Sequence, residues 1–382
     1  MTAPDWHSSD FPELRAGPPW VMQEMMARQP ELAAEILTPG DAAVAAVADA
    51  VRAAAAAGEQ VTVTGCGTSE HAAHGVAALL AAALPTAQRR HVRAVPALSA
   101  TLEPQAGCCI AVSHDGGTRA TLLALEAAGR AGARAAAITA KPDGAVPQAA
   151  EHAIVTPLRD RSWCHTVGYT SAIVAGAAVA ARLGLTGVSP GAASRALADG
   201  LAVTGADAVA ERLADRRVIL CAGVGLDLTS ARELALKIAE GAQLATLALE
   251  LETVLHGQLA GHDDRDALVL VAVADHADRE RHLQRAEHVA RAAAAIGLPV
   301  AAVLSGAAAQ RLAPELTPAG RVTVEEPGAL ERVAAALLGA AGALQALTLA
   351  LVHARGTNPD LIRREQAPYR AAAAAGEGSE TW

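Results

Sequence analysis

Residues 61–75, VTVTGCGTSEHAAHG, place a glycine-containing loop between a run of β-branched residues and an alanine-rich stretch. The first run is typical of a buried strand and the last stretch is typical of a helix. A similar arrangement occurs at residues 218–234, VILCAGVGLDLTSAREL, roughly 160 residues further on. That separation is too long for the repeat of a solenoid, so it predicts two similar α/β domains.

Short runs rich in valine, isoleucine and alanine alternate with longer helical stretches, which is the pattern of βαβ units on a parallel sheet. The strands of the first series are predicted at 60–65, 91–96, 108–113, 134–139 and 152–156, and those of the second at 217–223, 245–251, 267–273, 299–304 and 321–326. The predicted units are an N-terminal helical extension at 1–40, domains at 41–205 and 206–355, and a tail at 356–382 with a frayed end.

Composition excludes several classes of function. The net charge is -9 and there is no long basic run, so neither a nucleic acid nor an anionic membrane is an expected partner. The five cysteines are scattered without a CxxC pair, which indicates neither a disulfide framework nor a zinc site. The N-terminus lacks the order of a signal peptide. We therefore expect a cytoplasmic protein.

Two other stretches are predicted to have a structural role only. The charge-free run at 333–352 contains Gln345 and Thr348 among alanine and glycine, and it is predicted to be a buried helix rather than a membrane span. The histidines of residues 275–288, DHADRERHLQRAEH, show no metal-ligand spacing, and the stretch is predicted to be a solvated helix face. No metal site is expected.

Two loops contain the residue types of an anion or sugar site. The loop GCGTS at 65–69 follows a predicted strand and precedes a helix, where backbone amides and the helix dipole are available to a ligand. The loop SHDGGT at 113–118 has the same position after the third strand. A tight turn or a helix cap would explain either loop alone, but two in one domain favour a binding site. The candidate substrate-binding residues are Gly67, Thr68, Ser69, Ser113, His114, Asp115 and Thr118.

The stretch ARELALKIAEG at 231–241 contains one of only two lysines in the chain. Helical spacing puts Glu233, Lys237 and Glu240 on one face within about 60° of arc. A solvated Glu–Lys pair would contribute only a few tenths of a kcal/mol. The neighbouring positions are apolar, however, which favours a buried helix, and buried charges must be paired and often have shifted pKa values. His256 lies in the following stretch, ELETVLHGQLAG, at 250–261.

Taken together, these residues resemble the SIS (sugar isomerase) domain family, in particular the two-domain isomerase portion of glucosamine-6-phosphate synthase and related ketose-amine deglycases. Five motifs occur in the family's order. They are MQEMMARQP (22–30), GCGTS, SHDGGT, the helix ELALKIAE (233–240) with the loop ETVLHG (252–257), and RGTNPDLIRR (355–364).

The resemblance implies two doubly wound, parallel-sheet domains, each with three αβα layers, in a homodimer whose sites are shared between subunits. It implies that Glu240 moves a proton between C1 and C2 of a sugar, and that His256 helps to open the ring from the neighbouring subunit. Lys237 and Glu233 would orient and polarise the enediol. No metal and no organic cofactor are implied. The expected activity is that of an aldose–ketose isomerase, with a ketose-amine deglycase or deaminase and a non-catalytic carbohydrate-binding sensor as alternatives.

Four departures from the family pattern limit this expectation. Asp115 replaces a phosphate-binding serine, and it would repel a phosphate unless His114 is protonated, so phosphorylation of the sugar is left open. Ser171 stands where the family often has lysine, and Ala367 lies where a C-terminal lysine would form an imine. Imine formation through an enzyme lysine is therefore not expected. The sequence also shows no glutaminase domain with a nucleophilic N-terminal cysteine, so amidotransfer from glutamine is not expected.

Overall fold

Two five-stranded sheets, in which every strand pairing is parallel, organise the computed structural model, which describes residues 7, 11–325 and 328–377. The strands of the first sheet are β1 (Gln60–Gly65), β2 (Val92–Pro96), β3 (Gly107–Val112), β4 (Ala133–Thr139) and β5 (His152–Val155). Those of the second are β6 (Val218–Gly223), β7 (Ala245–Glu250), β8 (Ala267–Ala272), β9 (Val300–Ser305) and β10 (Gly320–Val324). All ten predicted strands are confirmed, and their ends agree with the prediction to within one residue except at β10, where the predicted last residue, Glu326, lies outside the described residues.

The two sheets have the same strand order. The first runs β2-β1-β3-β4-β5 and the second, from its opposite edge, β7-β6-β8-β9-β10. Alternate residues of the central strands feed clusters on opposite faces: Ile110 of β3 packs on one side and Cys109 on the other, as do Val269 and Leu268 of β8. Helices cover both faces, so the expected doubly wound αβα fold is confirmed.

The helices follow the strands in alternation, with a bundle between the two sheets. They are α1 (Val21–Ile36), α2 (Ala42–Ala57), α3 (Thr68–Ala83), α4 (Ala97–Leu102), α5 (Arg119–Arg130), α6 (Ala145–Gln148), α7 (Val167–Leu183), α8 (Pro190–Leu201), α9 (Ala206–Leu213), α10 (Leu226–Lys237), α11 (Leu251–Leu255), α12 (Arg279–Ala295), α13 (Gly306–Arg311), α14 (Arg332–Arg355) and α15 (Ala367–Glu377). The prediction of a frayed end is wrong as far as residue 377, because α15 continues to that point; residues 378–382 lie outside the described residues.

The apolar run at 333–352 forms the buried helix that was predicted. α14 is long and apolar enough to cross a membrane by length and composition, yet 83% of its most apolar window is buried in the protein. It packs against α8, α9 and α10. Inside it, the Gln345 side chain exchanges hydrogen bonds with Gln29 of α1, which satisfies two amide groups that burial would otherwise penalise.

The N-terminal helix and the C-terminal tail are tied to each other. Asp360 is fully buried, and its carboxylate accepts hydrogen bonds at 2.8 Å from the backbone N–H groups of Val21 and Met22, the first two residues of α1. A carboxylate at this position also complements the dipole of the helix. Thus the start of α1 is held by the segment that follows α14.

The glycine loops at the start of the two sheets have the same geometry. Gly67 precedes α3 with φ +57°, and Gly225 precedes α10 with φ +58°, a conformation that favours glycine. A Cβ on Gly65 would lie 2.7 Å from the backbone of Ser69, and one on Gly223 would lie 2.6 Å from the backbone of Asp227. This likeness supports two similar units, while the domain limits at residues 40, 205 and 355 stay predictions.

Candidate functional site

The centre of the candidate site is the end of α10. The helix continues past Lys237 into one wide turn, Ile238–Ala242, of the five-residue hydrogen-bonding type that is frequent at functional sites. Gln243 ends this turn with φ +56°. The ammonium group of Lys237 donates a 2.5 Å hydrogen bond to Oε2 of Glu240 and lies 3.8 Å from Oε1 of Glu233. The structure therefore brings the three predicted helix residues into one cluster.

The pKa values of Lys237 and Glu240 are shifted because the two side chains are buried close to each other and to Glu233. The Lys237 side chain is fully buried, and the exposed fractions of the Glu233 and Glu240 side chains are 3% and 22%. Burial opposes the ammonium form of Lys237, but the charges of Glu240 and Glu233 outweigh it and raise the lysine pKa. For Glu240, burial outweighs the attraction of Lys237 and raises the carboxyl pKa. Glu240 is thus a carboxylate with a raised pKa and partial access to solvent, as a general base requires.

His71 joins this cluster from the other sheet. Its Nδ1 lies 2.8 Å from Oε2 of Glu233, so Glu233 bridges an imidazole of α3 and the ammonium of Lys237. His71 lies three residues after Thr68 in the stretch that predicts the first domain. Its proximity to that loop was the available signal, but its partner could not be recognised from the sequence, because Glu233 is 162 positions away.

The first glycine loop lies beside the same helix. A Cβ on Gly67 would be 3.8 Å from the side chain of Leu236, so the loop faces α10. Thr68 and Ser69 are the first residues of α3, where helix amides and dipole favour an anion or a polar oxygen. The loop and the charged cluster therefore lie on adjoining surfaces.

The second loop has an internal cation partner. The carboxylate of Asp115 accepts a 2.7 Å hydrogen bond from Nε of Arg159, and Ser113 donates one at 3.3 Å to the Thr118 hydroxyl. His114 is buried, and its Nε2 accepts a 2.7 Å hydrogen bond from the backbone N–H of Asp160. Burial lowers the pKa of His114 to about 4. The option that protonated His114 offsets Asp115 is therefore wrong near pH 7, and Arg159 supplies the positive charge instead.

His165 lies between the second loop and the charged cluster. Its Nε2 is 3.8 Å from Oδ2 of Asp115. Burial, together with the charge of Lys237, lowers the pKa of His165 to about 4. Next to Asp115 and Arg159 is a cavity of about 200 Å³, which Phe11 and Trp163 also line. No sequence motif marked Arg159 or His165, because both belong to an irregular segment between β5 and α7.

His256 is not part of the cluster within one chain. Its side chain is 75% exposed, and its Nε2 lies 3.4 Å from Oε2 of Glu252. Among the contacts of the described residues, none joins His256 to Glu240 or Lys237. The role that the resemblance implies for His256, which is to help open the sugar ring in the site of a neighbouring subunit, stays a prediction.

Comparisons with known proteins place this geometry in a family. Two doubly wound parallel sheets, each with a glycine loop at the start of a helix, define a two-sheet α/β protein. Residues 56–183 match the model of the SIS domain family, which identifies this part of the chain as a SIS domain and confirms the resemblance. A comparison with curated protein sequences gave no match.

Solved structures share the fold over nearly the whole chain. The C-terminal domain of glucosamine-fructose-6-phosphate aminotransferase from Francisella tularensis has a TM-score of 0.72 at 18% identity, covering 91% of this chain and 99% of that one. Tagatose-6-phosphate ketose/aldose isomerase from Escherichia coli has 0.71 at 19%, covering 93% and 98%. Glucosamine-6-phosphate deaminase from Thermotoga maritima has 0.57 at 14%, covering 89% and 96%. The shared feature is the fold.

Replacing Lys237 by methionine is expected to lower the free energy of unfolding by about 3–5 kcal/mol, because Glu233 and Glu240 lose the charge that compensates them. Chemical denaturation of the purified protein measures this change. Lys141→Met, at the only other lysine, is the control and should change the value by less than about 0.5 kcal/mol. Adding Glu240→Gln to Lys237→Met should recover part of the loss; no recovery would contradict charge imbalance as its cause.

Stability is expected to fall as the pH drops from about 6.5 towards about 4. In this window the unfolded chain protonates His114 while the folded chain, with a pKa of about 4, does not. His114→Gln should therefore reduce the loss of unfolding free energy between pH 7 and pH 5 by on the order of 1–2 kcal/mol. Denaturation at a series of pH values measures it, with exposed His288→Gln as the control. An unchanged pH profile in His114→Gln would contradict a neutral, buried His114.

Proposed function

We propose that the protein is an aldose–ketose isomerase of a phosphorylated sugar, in which Glu240 carries a proton between C1 and C2. The observation that supports this most is the Glu240 carboxylate, which is 22% exposed and has a raised pKa beside a fully buried ammonium. Such a carboxylate can take the C2 proton of the open-chain aldose as an enediolate forms with its charge on O1. O1 is then protonated, O2 loses its proton, and the proton on Glu240 is delivered to C1 to give the ketose.

Lys237 supports the same step in two ways. Its charge stabilises the enediolate oxygen, because the attraction between a fixed cation and that oxygen grows as negative charge develops in a site of low dielectric. Its bond to Glu240 also fixes the orientation of the carboxylate. Glu233 approaches the lysine from the other side, with its Oε1 3.8 Å from Nζ of Lys237. His71 in turn holds Glu233, because its Nδ1 lies 2.8 Å from Oε2 of that glutamate. We propose these two as positioning residues.

The properties of Lys237 disfavour an imine mechanism. An imine requires a neutral amine, whereas the two carboxylates raise the pKa of Lys237 and keep it protonated. This supports proton transfer through an enediol over deamination through an enzyme-bound imine. Two alternatives are a ketose-amine deglycase that works without an enzyme imine and a non-catalytic sensor. The deglycase differs from the isomerase in its products, and the sensor differs in giving no exchange of the C2 proton.

Several features support a phosphate on the sugar. Ser113 and Thr118 present hydroxyl groups at the start of α5, where a helix N-terminus favours an anion. Arg159 offsets the charge of Asp115 and faces the adjoining 200 Å³ cavity. The names of the solved relatives include phosphorylated hexoses and hexosamines. We also propose a homodimer in which the exposed His256 completes the neighbouring site.

Glu240→Gln is expected to abolish exchange of the C2 proton with solvent while leaving sugar binding within about twofold, because the amide keeps the shape of the side chain but cannot accept the proton. Mass spectrometry of glucose, fructose, tagatose and glucosamine 6-phosphates after incubation in deuterated water measures the exchange. Exposed Glu211→Gln is the control. Exchange retained in Glu240→Gln would refute Glu240 as the base, and wild-type binding of these sugars without exchange would favour the sensor.

Arg159→Ala is expected to remove the preference for phosphorylated sugars, because Asp115 would then face the phosphate without its cation. Thermal shifts of the wild type should be larger with each hexose 6-phosphate than with the free hexose. The preference should disappear in Arg159→Ala, return in Arg159→Ala/Asp115→Ser, and persist in exposed Arg134→Ala. Equal wild-type shifts for phosphorylated and free sugars would show that phosphate is not recognised here, without bearing on Glu240.

A further inference from the structure

A second polar cluster lies at the carboxyl edge of the second sheet, at the other end of α10. Asp227 is in the first turn of α10, His276 is in the loop after β8, and His282 is in the first half of α12. Each contributes one ligand atom within 4.8 Å of the other two. The expectation that residues 275–288 form a solvated face is wrong at His282, which is buried among these groups.

The distances in this cluster fit a metal ion. Oδ2 of Asp227 is 3.1 Å from Nε2 of His276 and 3.7 Å from Nε2 of His282. In a tetrahedral zinc site, bonds of about 2.1 Å separate neighbouring ligand atoms by about 3.4 Å. The two measured distances lie on either side of that value, so a cation can enter with small side-chain rotations.

The hydrogen bonding of the cluster leaves the ring nitrogens of His282 available to bind an ion. Neither ring nitrogen of His282 has a hydrogen-bond partner, although only 8% of the residue is exposed. Buried polar atoms without partners are rare and costly. Asp227 is held differently: its Oδ1 accepts 2.9 Å hydrogen bonds from the backbone N–H groups of Val273 and Ala274, which leaves Oδ2 directed at the histidines. Fixing a carboxylate in this way is how outer partners orient a metal ligand.

We propose that Asp227, His276 and His282 bind a divalent zinc ion. Two imidazoles and one carboxylate are ligands that zinc accepts readily, whereas magnesium and calcium prefer oxygen alone. The His276 side chain is 23% exposed, so an ion can reach the cluster from solvent.

The zinc ion joins the start of α10 to the loop after β8 and to α12. It lies about 15 Å along α10 from Lys237, since ten residues separate Asp227 from that lysine. Its binding is therefore independent of the proposed isomerase activity, and its test requires no sugar. This site could not be predicted from the sequence, because Asp227 is 49 positions from His276.

The test is zinc binding by the full chain after treatment with a chelator. Equilibrium dialysis with metal analysis should give one tightly held zinc per wild-type chain, and cobalt should give the visible absorption of a low-symmetry site. His276→Ala and His282→Ala should each weaken zinc binding by more than about 100-fold, because loss of an outer partner alone costs about 10–100-fold. His288→Ala, an exposed histidine on the same helix, should bind like the wild type.

Zinc should also raise the melting temperature of the wild type and of His288→Ala but not that of His276→Ala. His276 is partly exposed, so its replacement keeps the test valid even if His282→Ala does not fold. A wild-type chain that retains no zinc, or His276→Ala binding zinc with wild-type affinity, would overturn the proposal.

Discussion

The ion cluster around Lys237 constrains the rest of the site. An ammonium group without solvent exposure is very unfavourable unless nearby carboxylates and hydrogen bonds compensate it. Glu240 and Glu233 supply that compensation, and Glu233 in turn contacts His71 on α3. Because the cluster draws on helices that belong to different sheets, the packing of α3 against α10 helps to fix the orientation of the proposed base.

The parts of the fold that follow from local pattern were predictable. Most strands are short apolar runs ended by a polar turn, a pattern that is visible in the local sequence. Glu233, Lys237 and Glu240 were also predictable as a group, because helical spacing alone brings them together. The wide turn at residues 238–242 was not, since nothing in its composition distinguishes it from a regular helical turn.

The parts that depend on long-range contact were not predictable. In the sequence, the carboxylate of Asp115 disfavours a phosphate ligand, because its cation partner, Arg159, is 44 positions away and cannot be recognised. His71 has its partner 162 positions away, and Asp227 has His276 at 49. In each case the sequence shows one titratable group and the fold supplies the other. Charge compensation between segments is thus what sequence reasoning misses first.

The two glycine loops show how similar backbones can take different chemistry. Gly67 and Gly225 adopt nearly the same φ, and Gly65 and Gly223 have the same close approach to the following helix. After the first loop the helix begins with hydroxyl groups, whereas after the second it carries Asp227 facing two histidines. α10 therefore presents a carboxylate for a cation at its start and a compensated lysine at its end. Because the helix backbone is rigid, the two clusters can hold fixed positions while their ligands differ completely in charge.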